Sequence, residues 1–234
     1  FGFFVLPESL KPENRRAFSW ERANPIGAIL ALRRFPAVLS LAESYFLLML
    51  AGMMLFSTWT LYVLHRYGWS MKMVGFSLMF SGILMGIVQA TLVRKIVPKL
   101  GDTRAVVVGM SISCVTHICY GFAMEGWMVF AIIVLGSLAG ISGPALQSYI
   151  TRHVPANEQG AVQGVFMGLQ SLAAIPAALI ATWSFGWAIA PERAFKVPGI
   201  AFFEAAALVL LSLWLALRSF RKDHEPILHP PHPA

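Results

Sequence analysis

Glu43, His117 and Glu204 stand inside long apolar stretches of this sequence. Titratable groups in such surroundings can bind and release protons, because burial and neighbouring charge move the pH at which they ionise. Gln89, Gln147, Gln163 and Gln170 occupy the same kind of stretch, where an amide can hydrogen-bond to another helix or to a polar solute. Catalysis asks for a tighter constellation, such as paired carboxylates, an H-E-x-x-H run or a Ser/His dyad. The two glutamates and the histidine fall on separate stretches at different depths, so the sequence predicts neither an enzyme nor a metal or cofactor site. Cys114 and Cys119 are five apart and lack disulfide or metal spacing, which makes them packing residues. His224, His229 and His232 fall in a tail without apolar period and read as solvated.

The elements that must hold these residues are set by the apolar runs themselves. The chain is 57% hydrophobic and 12% charged, against about 25% charged in an ordinary soluble domain. Six runs approach or exceed the roughly 20 residues that carry a helix across about 30 Å of hydrocarbon: Val38–Leu64, Met73–Val93, Ala105–Met124, Trp127–Tyr149, Gln159–Trp183 and Pro198–Leu217. Lipid offers no partner for backbone N–H and C=O groups, so each run is expected to be helical. The fold class that follows is an all-α integral membrane protein with a six-helix bundle over residues 37–218. Residues 1–6 read as the end of a preceding membrane helix, which makes the sequence a fragment. Residues 7–36 read as a cytoplasmic linker in which "ANPIGAILALRRFP" opens a short interfacial helix, with Asn24 as N-cap and Pro25 at the first helical position. Residues 219–234 read as a disordered cytoplasmic tail.

A net charge of +7 raises the question of nucleic acid. If the runs alternate in direction, 14 of the 18 Lys and Arg residues fall on one side of the membrane. The basic stretch Arg94, Lys95, Lys99, Arg104 belongs to that side, while Arg66, Lys72, Arg193 and Lys196 lie on the other. Positive loops stay cytoplasmic. The charge therefore orients the chain in a cell inner (plasma) membrane with both ends cytoplasmic, its partner is the lipid bilayer, and no nucleic acid is implied. Small residues recur four apart at Gly82/Gly86, Gly136/Gly140 and Gly160/Gly164/Gly168, the spacing that lets helix backbones approach closely in lipid. All seven glycines are expected to pack helix on helix. Gln89 extends the first of these stripes and Gln147 the second, while Gln163 and Gln170 run beside the third. The amides are therefore expected to point into protein, as interhelical hydrogen bonds or as parts of a shared polar pathway.

The segment "LVRKIVPKLGDTR" resembles the cytoplasmic loop motif G-x-x-x-D-R/K-x-G-R-R/K of the major facilitator superfamily. Lys99 and Gly101 match and Arg104 falls near the last basic position, whereas Arg94 and Pro98 replace the first Gly and the Asp. "LPESL", "RRAFSWERANPIGA", "LYVLHRYGWS", "GPALQSYITRHVPANEQGAVQG" and "VPGIAFF" resemble the central loop and C-terminal half of tetracycline-resistance-type drug:proton antiporters, from Leu6 to about Leu217. The resemblance implies that the six runs are helices seven to twelve of a twelve-helix protein whose N-terminal half is the missing partner. It implies small-molecule substrate and protons as ligands, and alternating access as the mechanism. It further implies that helices seven, eight, ten and eleven border a central cavity, with nine and twelve outside. On that assignment Met53, Phe56, Trp59, Gln89, Gln147 and Gln170 are the candidates for the substrate pathway. Positions that are polar or charged in tetracycline exporters are matched here by Met49, Met53, Met85 and Ser113, with Gln89 keeping an amide. This widens the implied substrate from tetracycline to amphipathic drugs; a symporter or exporter of another small solute, such as a sugar or metabolite, is the alternative. Glu43 is the weak candidate for proton coupling, and His117 is expected to bridge helices by a hydrogen bond.

The orientation can be tested directly. Lys99→Cys in intact cells should resist an impermeant maleimide applied from outside, and Lys72→Cys should label. Outside labelling of position 99 would reverse the topology.

Overall fold

The computed structural model describes residues 36–154 and 159–223. The expected end of a preceding helix, the interfacial helix and the tail beyond Asp223 lie outside the described residues. Within them the chain forms α1 (Pro36–Tyr67), α2 (Met71–Ile87), a π-helical turn (Val88–Val93), α3 (Arg94–Leu100), α4 (Asp102–Phe122), α5 (Gly126–Ala139), α6 (Ser142–Arg152), α7 (Gln159–Ile189) and α8 (Ile200–Asp223). These make six helices long and apolar enough to cross a membrane: Leu39–Tyr67, Met71–Leu100, Asp102–Phe122, Gly126–Arg152, Val162–Ile189 and Ile200–Arg221. The second is α2, the π turn and α3 in continuity, and the fourth is α5 and α6.

The turns between helices are short and have local causes. At the end of α1, Gly68 adopts φ +61, its N–H donates to the Leu64 carbonyl at 3.1 Å, and His65 and Arg66 occupy the last turn. A left-handed residue there satisfies a carbonyl the helix leaves open, and cations suit the negative end of its dipole. Ser70 then caps α2 by accepting from the Met73 N–H at 3.4 Å. The basic stretch expected as a loop is mostly helix. Arg94, Lys95 and Lys99 ride on α3, and the connection narrows to Gly101 at φ +82, with Asp102 opening α4. Charged side chains can stay on a helix that has left the hydrocarbon, so composition marks where the membrane ends and not where the helix does. α8 likewise continues to Asp223, past residue 218.

α8 packs lengthwise on α1 and α4, α7 on α1, α4 on α5 and α6, and α2 on α5. Ser44 and Ser212 lock α1 to α8. Ser44 Oγ donates to the Ser212 carbonyl at 2.8 Å, and Ser212 Oγ donates to the Ser44 carbonyl at 2.7 Å, both fully buried. A methyl group on Gly199 would collide with the Gly121 carbonyl oxygen, so α4 and the start of α8 meet backbone to backbone.

The glycine stripes divide. Gly136 lies against Thr116 and Gly140 against the Met85 sulfur, as the spacing predicts. Gly82, Gly86, Gly160 and Gly164 instead face open space within the described residues. Gly168 is half-buried on α7. Of the glycines expected to pack, Gly136 and Gly140 thus meet a neighbour within this bundle and Gly82, Gly86, Gly160 and Gly164 do not. A spacing of four puts glycines on one line of a helix, but only the neighbour's position decides whether that line is covered.

Gly199→Val should force α4 and α8 apart and cost about 1–3 kcal/mol, the usual penalty of overpacking. Gly186→Val, at a site where a Cβ meets nothing within 4 Å, is the control and should melt much closer to wild type. Thermal unfolding in detergent distinguishes the two.

Candidate functional site

The first four spans enclose a half-open cavity of about 420 Å³, within the roughly 300–1,000 Å³ range of small-molecule sites. α1 contributes Tyr45, Met49 and Gly52, α2 and the π turn contribute Ser81, Met85 and Gln89, and α4 contributes Ser113, Thr116, His117 and Tyr120. α5 and α6 complete it with Gly136, Gly140, Gly143 and Gln147 among others. The glycines of the fourth span leave room where side chains would otherwise fill the space.

Two of the walls are irregular, and a glutamine joins them. The π turn shifts the register of the second span at Val88–Val93. The fourth span breaks between Ala139 and Ser142, which frees backbone groups from the regular helical ladder. Gln89 Nε2 donates to the Gly140 carbonyl at 3.4 Å, so an amide from one irregularity occupies a carbonyl of the other. Gln147 Nε2 donates to the Tyr45 hydroxyl at 2.8 Å and ties α6 to α1. Tyr45 in turn leans on the Phe166 ring of α7 at 4.8 Å between centroids.

Three hydroxyls of the wall are turned to their own helices. Thr116 donates to the Ile112 carbonyl, Ser137 to Val134 and Ser142 to Ala139, at 2.8, 2.7 and 2.9 Å. With their hydrogens engaged, these groups present oxygen lone pairs. No Lys, Arg, Asp or Glu is among the lining residues. The wall is mainly apolar, with acceptors set into it and no fixed charge.

Of the sequence candidates, Gln89 and Gln147 line this cavity. Met53 is half-buried and packs against the main core, and Trp59 is buried with its Nε1–H donating to Ser77 Oγ at 3.1 Å. Phe56 is 71% exposed, and Gln163 and Gln170 are exposed on α7, so these three side chains point out of this six-helix bundle. Helical spacing aligns residues on one stripe but does not say which stripe meets a neighbour. Glu43 is exposed on α1. Lys99 and Arg104 are exposed near the Gly101 turn, where a second cavity of about 350 Å³ is lined by Gly101, Asp102, Ser148 and Arg152 among others. There Asp102 accepts from Arg152 at 3.2 Å and from Ser148 Oγ at 3.3 Å, tying the start of α4 to the end of α6.

Three wall residues, Tyr45, Met49 and His117, are absent from the pathway candidates. Tyr45, Met49 and Met53 stand four apart on α1, so helical spacing from Met53 marks Tyr45 and Met49 as neighbours on its stripe. His117, expected to bridge helices, bonds the Ser113 carbonyl of its own helix through Nδ1 at 2.7 Å, and its ring also meets the Ala51 backbone of α1.

Six apolar helices, four of them lining a cavity, define a polytopic α-helical membrane protein. The sequence model of the Major Facilitator Superfamily matches residues 1–178. The chain belongs to the major facilitator superfamily. It is 33% identical over 212 residues to "Tetracycline resistance protein, class C" of Escherichia coli, covering 91% of this chain and 52% of that protein. It is 26% identical over 234 residues to human "Hippocampus abundant transcript 1 protein", covering 91% of this chain and 48% of that one. In fold it resembles the crystal structure of the human organic anion transporter MFSD10 (TETRAN), with a TM-score of 0.77 at 22% identity, over 90% of this chain and 52% of that one. The chain thus spans about half the length of these relatives.

A double-mutant cycle tests the clasp between α1 and α6. Tyr45→Phe and Gln147→Leu should show a coupling of about 0.6 kcal/mol, and no more than about 1.7, as for hydrogen bonds between membrane helices. Unfolding in mixed micelles measures it.

Proposed function

We propose that this chain is the C-terminal six-helix half of a major facilitator transporter that exports amphipathic drugs, tetracycline-like compounds among them, in exchange for protons. The observation that carries this reading is the cavity itself, an apolar, methionine-bearing wall with two amides and no fixed charge. Met49 and Met85 offer flexible, polarisable surface that can adapt to several ligands. Gln89 and Gln147 supply the few oriented polar groups that such sites use to fix a ligand. Sugars, which need hydrogen bonds on every face, fit this wall less well. The relatives named for tetracycline resistance, one of them covering nine-tenths of the chain, support drug export as the direction.

In this reading a second six-helix half faces the exposed stripes. Phe56, Gln163, Gln170 and the open glycines Gly82, Gly86, Gly160 and Gly164 then meet protein across the interface between halves. The two halves rock about that interface. The segment sits in the inner (plasma) membrane with both ends cytoplasmic, in keeping with the basic residues around Gly101.

Gln89→Leu in the full-length transporter tests whether the amide orients substrate. Export of several drugs by a pump-deficient host, at matched membrane abundance, should change in rank order. A uniform drop across every drug would reduce Gln89 to a structural clasp.

A further inference from the structure

Four glycines stand in the cavity wall: Gly52 on α1, Gly136 on α5, Gly140 at the break of the fourth span and Gly143 on α6. A glycine in a helix costs stability relative to alanine, so each asks for a reason. Packing supplies it twice. A Cβ on Gly136 would stand 2.8 Å from Thr116 Cγ2, and one on Gly140 would stand 2.6 Å from the Met85 sulfur. Those two glycines make room for side chains of the protein itself.

Gly52 and Gly143 are different. Gly52 is exposed midway along the 32-residue helix α1, and a Cβ there would meet nothing within 4 Å among the described residues. A Cβ on Gly143 would touch only the Met49 methyl, at 3.9 Å. Met49 precedes Gly52 by three residues and so shares its face of α1. The three residues form one flank of the cavity, two bare positions with a flexible thioether between them. The open glycines of the first and third stripes, by contrast, are not among the lining residues of this cavity.

We propose that this flank sets the largest rigid group the cavity accepts. Gly52 and Gly143 leave the space that a polycyclic ring system of an amphipathic solute fills, and Met49 adjusts the fit. A side chain at position 52 would displace no neighbouring atom, so the volume it takes comes from the open side of the cavity and not from a packed core. A side chain at position 143 reaches only the end of Met49, which is unbranched, has three rotatable bonds and can yield. At Gly136 or Gly140 the same change would collide with Thr116 or Met85 and report on packing instead. Apolar pockets discriminate strongly by bulk, about 10–200-fold for a single methylene. The two glycines bring no polar side chain, so the flank selects by bulk alone and leaves orientation to Gln89 and Gln147.

The openness of the flank stands on geometry; its use as a size limit on substrate rests on the export reading. The test separates them in the full-length transporter in nanodiscs. First, Gly52→Cys and Ala51→Cys are treated with N-ethylmaleimide and with the bulkier pyrene maleimide, and modification at each position is read by peptide mass spectrometry. Ala51 is fully buried, so its variant should stay unmodified, while Gly52→Cys should react with both reagents. A Gly52→Cys as inert as Ala51→Cys means that protein covers the flank, and this overturns the proposal whether or not the protein exports drugs. Adding Gly143→Leu to Gly52→Cys should slow pyrene maleimide about tenfold more than N-ethylmaleimide. Equal slowing of the two reagents overturns the size limit. Gly143→Ala serves if the leucine variant is not membrane-inserted. Second, binding of ethidium is compared with that of the smaller cation 1-methylquinolinium. Gly52→Leu should cost ethidium about tenfold more affinity than 1-methylquinolinium, the low end of what apolar pockets achieve. Equal losses overturn the size limit. If wild type binds neither cation, the export reading is what fails, and the maleimide pair still decides the size limit.

Discussion

Every feature of this bundle depends on the absence of hydrogen-bonding solvent in the hydrocarbon layer. Backbone N–H and C=O groups must find partners inside the protein, which forces helices and confines irregular backbone to places where protein or a cavity can serve it. The two departures from regular helix inside the spans obey that rule. The π turn at Val88–Val93 and the break between Ala139 and Ser142 both border the cavity, and Gln89 of the first serves the Gly140 carbonyl of the second. The cavity exists because the backbone is irregular there, and the irregularity is tolerated because a side chain completes it.

The same constraint explains how helices are joined. Apolar side chains cannot tell a neighbour from lipid by water exclusion, so specificity comes from close approach and from buried polar pairs. The reciprocal Ser44–Ser212 bonds and the Gly121–Gly199 contact fix α8 between α1 and α4. Toward the C-terminal end of α1, Tyr62 donates to the Tyr120 carbonyl at 2.7 Å and Tyr67 to the Ala123 carbonyl at 2.9 Å, closing the end of α4 as its ladder runs out. Trp59, Tyr120 and Phe202 pack around these bonds, so polar closure and aromatic packing reinforce each other.

Much of this was legible in the sequence, and the illegible part has a physical reason. Run length and hydropathy located six spans, because the hydrocarbon thickness sets one scale for all of them. Gln89 and Gln147 were found because a polar amide in an apolar run is conspicuous, and the structure brings both to one cavity. The facing of a stripe was not legible. Gly136 and Gly140 pack on Thr116 and Met85, while Gly82 and Gly86, spaced identically, face open space. The π turn left no mark in "VQATLV", and the bond its Gln89 makes to Gly140 is tertiary, beyond the reach of local propensity. His117 was visible as a residue, but its bond to the Ser113 carbonyl, a backbone group the sequence does not distinguish, was not.

The chemistry of the wall follows from the same economy of partners. A serine or threonine on a membrane helix often turns its hydroxyl hydrogen to its own backbone. Thr116, Ser137 and Ser142 all do so, and the hydrogen atoms that could have bound a ligand's acceptor are used up. The two glutamine amides spend N–H groups on Gly140 and Tyr45. What these five side chains have left is hydroxyl lone pairs, amide oxygens and one further N–H on each glutamine. Under the proposed export reading, such a wall holds an amphipathic solute through a few polar groups, with no Lys, Arg, Asp or Glu among its lining residues. How the helices satisfy their own backbones first thus decides which polar groups the cavity has left to offer.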